Sequence, residues 1–219
     1  MRVSQINFKS FLAYASFVFN YGLKLSFKII LYEFKYRNYY NDNTSNHIPN
    51  NKLNVKNYDT KKITGYSPSY YYYLYLIKLF FEKKDVNFEN IYDVGFGTGR
   101  VLYFCQFLAN NIYGFEISKR LFDIGTIKLN KVINKNKKLE LLFINALEFS
   151  KYKDNSIIFI FDPFTKSYDL ETILRNISNL KNSYLVYANP RFRKNVKLRF
   201  KEVFCEKSQN FRGLSIFQI

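Results

Sequence analysis

Asp93-Val94-Gly95-Phe96-Gly97-Thr98-Gly99-Arg100 closes one apolar run, Asn90 to Val94, and opens another that keeps helical spacing through Asn110. A short apolar run, three close glycines and a helix-periodic stretch make a strand–turn–helix unit, with glycine where the backbone must turn tightly and admit a close neighbour. Outward from this unit strands and helices alternate. The spacing predicts a strand over Ile112–Ile117, a helix over Ser118–Asn134, and a strand over Leu139–Ile144. It resumes with a strand over Ser156–Phe161, a helix over Tyr168–Leu180 and a strand over Tyr184–Tyr187. A basic helical turn follows, then two last strands near Glu202–Cys205 and Leu214–Ile219. Alternation of this kind builds parallel βαβ units, so the expected fold is α/β, a seven-stranded, mostly parallel sheet flanked by helices. Only the short polar link Glu148–Asn155 joins the third and fourth strands, so that crossover helix is expected to be missing or reduced to a turn.

Before the sheet the chain divides into two further parts. Ile6 to Tyr36 carries apolar residues near helical spacing, Phe8, Phe11, Leu12, Ala15 and Phe19 among them, and reads as one long helix or as two broken near Gly22. Lys9, Lys24, Lys28, Lys35 and Arg37 border this surface, and Glu33 alone opposes them. Its uncharged run, Ser10–Leu23, is shorter than the roughly 20 residues that a spanning helix needs. Two readings stand: a helix packed on the domain or on a second subunit, and an interfacial helix on anionic lipid. Asn38 to Lys62 is rich in Asn and Lys and reads as a polar linker, with a brief strand near Leu53–Val55. Ser67-Pro68 then predicts a helix start, with Ser67 as N-cap and Pro68 at the first helical position. The divisions are 1–37, a basic amphipathic helical extension; 38–63, a linker; and 64–219, the α/β domain.

Composition narrows the class. The 219 residues suffice for one such domain with an attachment, and 47% hydrophobic with 23% charged residues describes a folding chain. Lys and Arg outnumber Asp and Glu by 34 to 17, a field that attracts phosphate, anionic lipid or acidic polymer. The abundance of Lys, Asn and Ile also follows AT-rich coding, which weakens a nucleic-acid reading. Cys105 and Cys205 make no disulfide framework and fit a reducing, cytoplasmic compartment, at most peripheral on the inner membrane face. The single His47 lies in a polar Asn-rich stretch, so neither a metal site nor a histidine triad is expected.

Glycine-rich turns of this kind hold a pyrophosphate in dinucleotide enzymes or the carboxypropyl and ribose part of S-adenosylmethionine. The dinucleotide fingerprint puts its third glycine where Arg100 stands, whereas here glycine recurs at every second position, Gly95, Gly97 and Gly99, which favours the methyl donor. Glu116, at the end of the next strand, can accept both ribose hydroxyls, and Asn145-Ala146, after the third, can meet the adenine edge. The fourth strand ends in Phe161-Asp162-Pro163-Phe164 beside the turn, where an acidic group, a proline and a ring could hold and align an amine.

Together with Gly114-Phe115-Glu116-Ile117-Ser118 and Tyr187-Ala188-Asn189-Pro190, these motifs resemble the Rossmann-like class I S-adenosylmethionine-dependent methyltransferases. More narrowly they are similar to a bacterial branch with a leading Tyr-x-Pro-Ser/Thr motif, here Tyr66-Ser67-Pro68-Ser69, and an Asn-Pro-Phe motif after the fourth strand. The layout is also similar to that of the Dot1-like lysine methyltransferases. The resemblance covers residues 65–190. It implies S-adenosylmethionine bound by Tyr66, Asp93, Gly95, Gly97, Gly99, Glu116, Ile117, Asn145 and Ala146, with Tyr66 closing over it. It implies Asp162, Pro163 and Phe164 at the reacting methyl and methylation of a protein lysine, while the possible membrane helix suggests N- or O-methylation of a sugar or other small molecule. Two departures bear on this: Asn145 replaces the family's usual Asp, and Asp162 the branch's usual Asn. The alternatives are a non-catalytic protein that uses the pocket as a scaffold and a dinucleotide oxidoreductase.

Overall fold

The computed structural model describes residues 18–19, 22–36, 40, 48–49, 52–53, 55, 65–161, 163–207 and 213–219. The elements are α1 (Leu23–Tyr36), α2 (Tyr71–Lys84), β1 (Phe88–Val94), α3 (Arg100–Cys105), β2 (Ala109–Phe115), α4 (Lys119–Val132), β3 (Lys138–Leu142), β4 (Ser156–Phe161), α5 (Ser167–Ile177), β5 (Tyr184–Ala188), α6 (Arg193–Lys197), β6 (Lys201–Lys207) and β7 (Gly213–Gln218).

The strands form one sheet in the order β3-β2-β1-β4-β5-β7-β6. β1 to β5 pair in parallel, whereas β7 runs antiparallel to both β5 and β6, so the sheet is mixed at one edge. β4 (SIIFIF) and β5 (YLVYA) are nearly continuous apolar runs because both their faces are covered. The strand order reverses at β1, which lies between β2 and β4, and a crevice opens at such a switch point outside the carboxyl ends of the strands.

One face of the sheet packs on α2, α3 and α4, the other on α5 and α6. The link from β3 to β4 holds only a 3-10 turn, Ala146–Glu148, as its brevity predicts. Aromatic rings take the place of a crossover helix there: Phe149 packs 4.4 Å from Phe115, and Tyr152 meets Tyr92 edge-on at 5.0 Å.

Local boundaries differ most from the sequence reading in two places. α2 begins at Tyr71, not at Ser67-Pro68, because Tyr66 pairs with Ile48 and the Ser69 carbonyl is taken by Arg100, which holds Tyr66–Tyr70 extended. The helix after the glycine turn stops at Cys105 and tightens into a 3-10 turn, so Ala109 and Asn110 belong to β2.

α1 packs on the domain. Leu25 and Ile29 are buried, and Tyr32 and Tyr36 lie against Tyr72, Tyr75 and Tyr71 of α2. Gly22, with φ at +74°, separates α1 from the helical residues Val18 and Phe19, so the chain breaks there as its sequence suggested. The described residues of 38–63 are more than a linker, since Ile48 bridges Tyr66 and Val55 bridges Ser118.

Candidate active site

The glycine turn is held from three sides. Gly95 N and Phe96 N both donate to the Phe115 carbonyl, at 2.9 and 3.0 Å, which fastens the turn to the end of β2. Phe96 points inward and is 4% exposed. Its ring fills a socket made by two glycines: a Cβ at Gly114 would lie 2.7 Å from the ring, and one at Gly125, in the middle of α4, 2.5 Å from it. Gly99 lies equally close to Leu129 of α4, so two turns of α4 are pressed onto the loop.

Glu116 closes the structure below. Its Oε2 accepts from Gly97 N at 2.9 Å, and its Oε1 accepts from Ile117 N and Ser118 N at 2.9 and 2.8 Å. A carboxylate offers about four acceptor positions, so one is left for a ligand. Burial raises the Glu116 pKa, and the three N–H bonds pull it back.

Asp93 is different. It is 2% exposed and lines the cleft, and its Oδ2 has no hydrogen-bond partner among the described residues. Burial, and after it the charge of Glu116, pushes its pKa well above the usual carboxylate range. An unsatisfied buried carboxyl at the floor of a cleft is costly for the protein alone and suited to a cationic or hydrogen-donating ligand.

Opposite the turn stands the strap built from the N-terminal residues. The Tyr66 ring lies on Gly97, where a Cβ would collide with it, and its hydroxyl is 2.7 Å from Thr98 Oγ1. Tyr40 donates to the Thr98 carbonyl at 2.6 Å. Leu53, Val55, Ile48 and Tyr66 pack together on Leu121 of α4. Tyr66 therefore covers the glycine turn. The glycine at 97 makes room for that ring.

Arg100 ends the turn and is 2% exposed. It donates to the Ser69 carbonyl at 2.9 Å, pairs with Glu33 of α1 at 3.4 Å, and places its guanidinium 4.4 Å above the Tyr71 ring. Glu33 also accepts from Tyr71 N at 2.7 Å, satisfying the first amide of α2, whose own N-cap side chain makes no such bond.

The structure brings most of the candidate residues together. Tyr66, Asp93, Gly95, Glu116, Ile117 and Pro163 all line one cleft, joined by Leu53 and Phe161. Gly97 and Gly99 form the turn behind it. Asn145 and Ala146 do not line that cleft: Asn145 Oδ1 accepts from Leu147 N at 3.1 Å and caps its own 3-10 turn. Asp162 lies outside the described residues, as does His47. Phe164 departs from its expected place at the reacting centre. It is buried in the core shared with Leu170 and Ile173 of α5, since apolar burial there outweighs exposure at the strand end, and Phe161 supplies the ring at the cleft. Asn189 is structural: its backbone takes φ +49°, and its N–H donates to the Gly213 carbonyl at 2.7 Å, joining β5 to β7.

Much of the basic run near α6 is consumed internally. Arg193 holds Glu202 with two bonds of 2.6 Å, Lys197 adds a third contact, and Arg199 pairs with Glu171. Among the described residues there is no cluster of His, Cys, Asp and Glu that could hold a metal ion. Nor is any helix among them long and apolar enough to cross a membrane.

Sequence reasoning did not single out Glu33, Tyr40, Leu53, Arg100 or Phe161 as site residues. A signal existed for Glu33, the one acid in a basic helix, and for Gly125, whose place inside a helix costs about 1 kcal/mol unless packing requires it.

No protein-family model matches the chain, and no curated protein sequence matches it significantly. Solved structures do. The chain is similar to a Pyrococcus horikoshii protein assigned as an RNA methyltransferase, with a TM-score of 0.54 and 18% identity over 77% of this chain and 92% of that one. It is also similar to the N-methyltransferase NodS of Bradyrhizobium japonicum, with a TM-score of 0.51 and 11% identity over 66% of this chain and 91% of that one. These likenesses show the fold: a Rossmann-like α/β sheet of the kind on which those methyltransferases are built.

Proposed function

We propose that the chain is a methyltransferase that binds S-adenosylmethionine in the cleft between the glycine turn, Glu116 and the Tyr66 strap. The observation that carries this reading is Asp93, a buried carboxyl in the cleft with an orphaned oxygen. A ligand with cationic ammonium and sulfonium groups relieves that burden, whereas the pyrophosphate of a dinucleotide would meet two buried carboxylates as an anion. Glu116 has one acceptor position left after its three backbone bonds, so it takes one ribose hydroxyl without releasing the turn.

When bound, the sulfonium supplies an activated methyl whose C–S bond breaks as the acceptor attacks in line. The chain's own residues bind and orient. Asp93 holds the positive end, Tyr66 closes over the turn, and Phe161 with Pro163 shapes the side from which an acceptor approaches. Asp162 lies between those two residues in sequence. As an anion it favours a cationic amine, such as that of a protein lysine, and takes its proton before attack. A hydroxyl acceptor on a sugar or small molecule is the second reading, and there Asp162 acts as base alone. The internal pairing of Arg193, Lys197 and Arg199 leaves less of that face for a polynucleotide.

Calorimetric titration tests the donor. Micromolar binding of S-adenosylmethionine with none of NAD is the expected result, and no binding of S-adenosylmethionine at millimolar concentration overturns the reading. Labelled donor with fractionated cell extract then identifies the acceptor. Turnover on it should fall in both Asp162→Asn and Asp162→Ala, and full activity in both removes Asp162 from the chemistry.

A further inference from the structure

We propose that the outer face of α1 is a docking surface for an anionic lipid bilayer, an inference independent of the reaction in the cleft. α1 has two apolar faces. The inner one, with Leu25 and Ile29, is buried against the domain. The outer one presents Leu23, Phe27 and Leu31, which are 77%, 68% and 53% exposed and stand four residues apart, so they form a single stripe along the helix. Phe34, also mostly exposed, stands three residues past Leu31 and extends the stripe towards the end of the helix. A soluble surface scatters such side chains singly, and a continuous row calls for an apolar partner.

The charges say which partner. The helix repeat of 3.6 residues places Lys24, Lys28 and Lys35 in one row beside the stripe. Lys35 lies near the rings of Tyr32 and Tyr36 and Lys28 reaches Glu206, while Lys24 is exposed. The only acid of α1, Glu33, is turned inward and spent on Arg100 and Tyr71 N. The outward charge of the helix is therefore wholly positive. An apolar stripe flanked by lysines on a helix that lies flat is the pattern of an interfacial anchor. At 14 residues α1 is about 21 Å long and cannot span the roughly 30 Å of hydrocarbon. A second copy of the chain fits worse, since pairing two such faces brings two lysine rows and two chains of net charge +17 together.

The test uses the full chain and phosphatidylcholine vesicles with and without phosphatidylglycerol. The wild-type chain should float with the anionic vesicles and not with the neutral ones, and high salt should release it. Leu23→Ser/Phe27→Ser/Leu31→Ser should weaken flotation at least tenfold while leaving the thermal transition in place, because these side chains are exposed. Lys24→Gln should weaken it about fivefold. Three results would overturn the proposal: no binding of the wild-type chain to anionic vesicles, undiminished binding of the triple variant, or a wild-type dimer that the triple variant splits.

Discussion

Glu33 of α1 and Arg100, the residue that ends the glycine turn, face each other at 3.4 Å across a contact where Arg100 is 2% exposed. The same carboxylate accepts the Tyr71 amide at 2.7 Å. Removing one partner of a buried pair leaves the other charge without compensation, at a cost of about 3 to 5 kcal/mol. Glu33→Ala should therefore lower unfolding stability by about 3 kcal/mol in a denaturant titration. Glu33→Gln, which still accepts from the Tyr71 amide, should lose less.

Gly97 and Tyr66 form a second coupled pair. Gly97 takes φ +57°, which costs an alanine about 1 to 2 kcal/mol, and its Cβ would also strike the Tyr66 ring. Gly97→Ala should destabilise by more than that backbone cost alone. Tyr66→Ala should remove only the steric share, so a double-mutant cycle should return a coupling of about 1 kcal/mol or more. Additive effects would mean that the ring does not rest on the turn.

Asp93 ties stability to pH. Its raised pKa means that the folded chain holds this proton more tightly than the unfolded chain. The penalty for ionising it is absent below the ordinary carboxylate pKa of about 3.9, grows as pH climbs towards the raised value, and is full above it. Asp93→Asn should thus melt higher than the wild-type chain at neutral pH, with the gap closing on acidification. The same variant should bind S-adenosylmethionine at least tenfold more weakly in calorimetry. Wild-type affinity should itself rise with pH through the titration of Asp93.

The hydroxyl of Tyr66 reaches Thr98 Oγ1 at 2.7 Å, and the Thr98 carbonyl is held separately by Tyr40. Tyr66→Phe removes the bond to Thr98 Oγ1 and leaves that of Tyr40, so the fold should stay intact. Donor dissociation, followed by stopped-flow fluorescence, should quicken by up to about tenfold, the value of one hydrogen bond. Thr98→Val should behave alike, since it keeps the carbonyl that Tyr40 uses.

The sheet was legible because its signals are local. The apolar runs of β4 and β5, the glycine turn after β1 and the short link before β4 each state their structure within a few residues. The cleft was legible at strand ends and in the Tyr66-Ser67-Pro68-Ser69 motif. Leu53 reaches it, and Glu33 and Tyr40 hold the turn beside it, from parts of the chain whose local sequence says nothing of a site, so their role exists only after the chain has folded back. Phe164 fails for the opposite reason. Local sequence gives it a place beside Asp162, but not the choice between cleft and core, which packing against α5 decides.

α1 finds its partners far downstream. Glu33 waits for Arg100, 67 residues on, and Lys28 for Glu206, 178 residues on. At a synthesis rate of about 5 to 20 residues per second, Lys28 leaves the ribosome roughly ten to forty seconds before Glu206 does. Until α2 has emerged, Leu25 and Ile29, the inner face of α1, lack the helix beside which they are buried. A helix that is oily on two sides while nascent, and on one side when mature, has its strongest attraction for a nearby surface at the moment of birth.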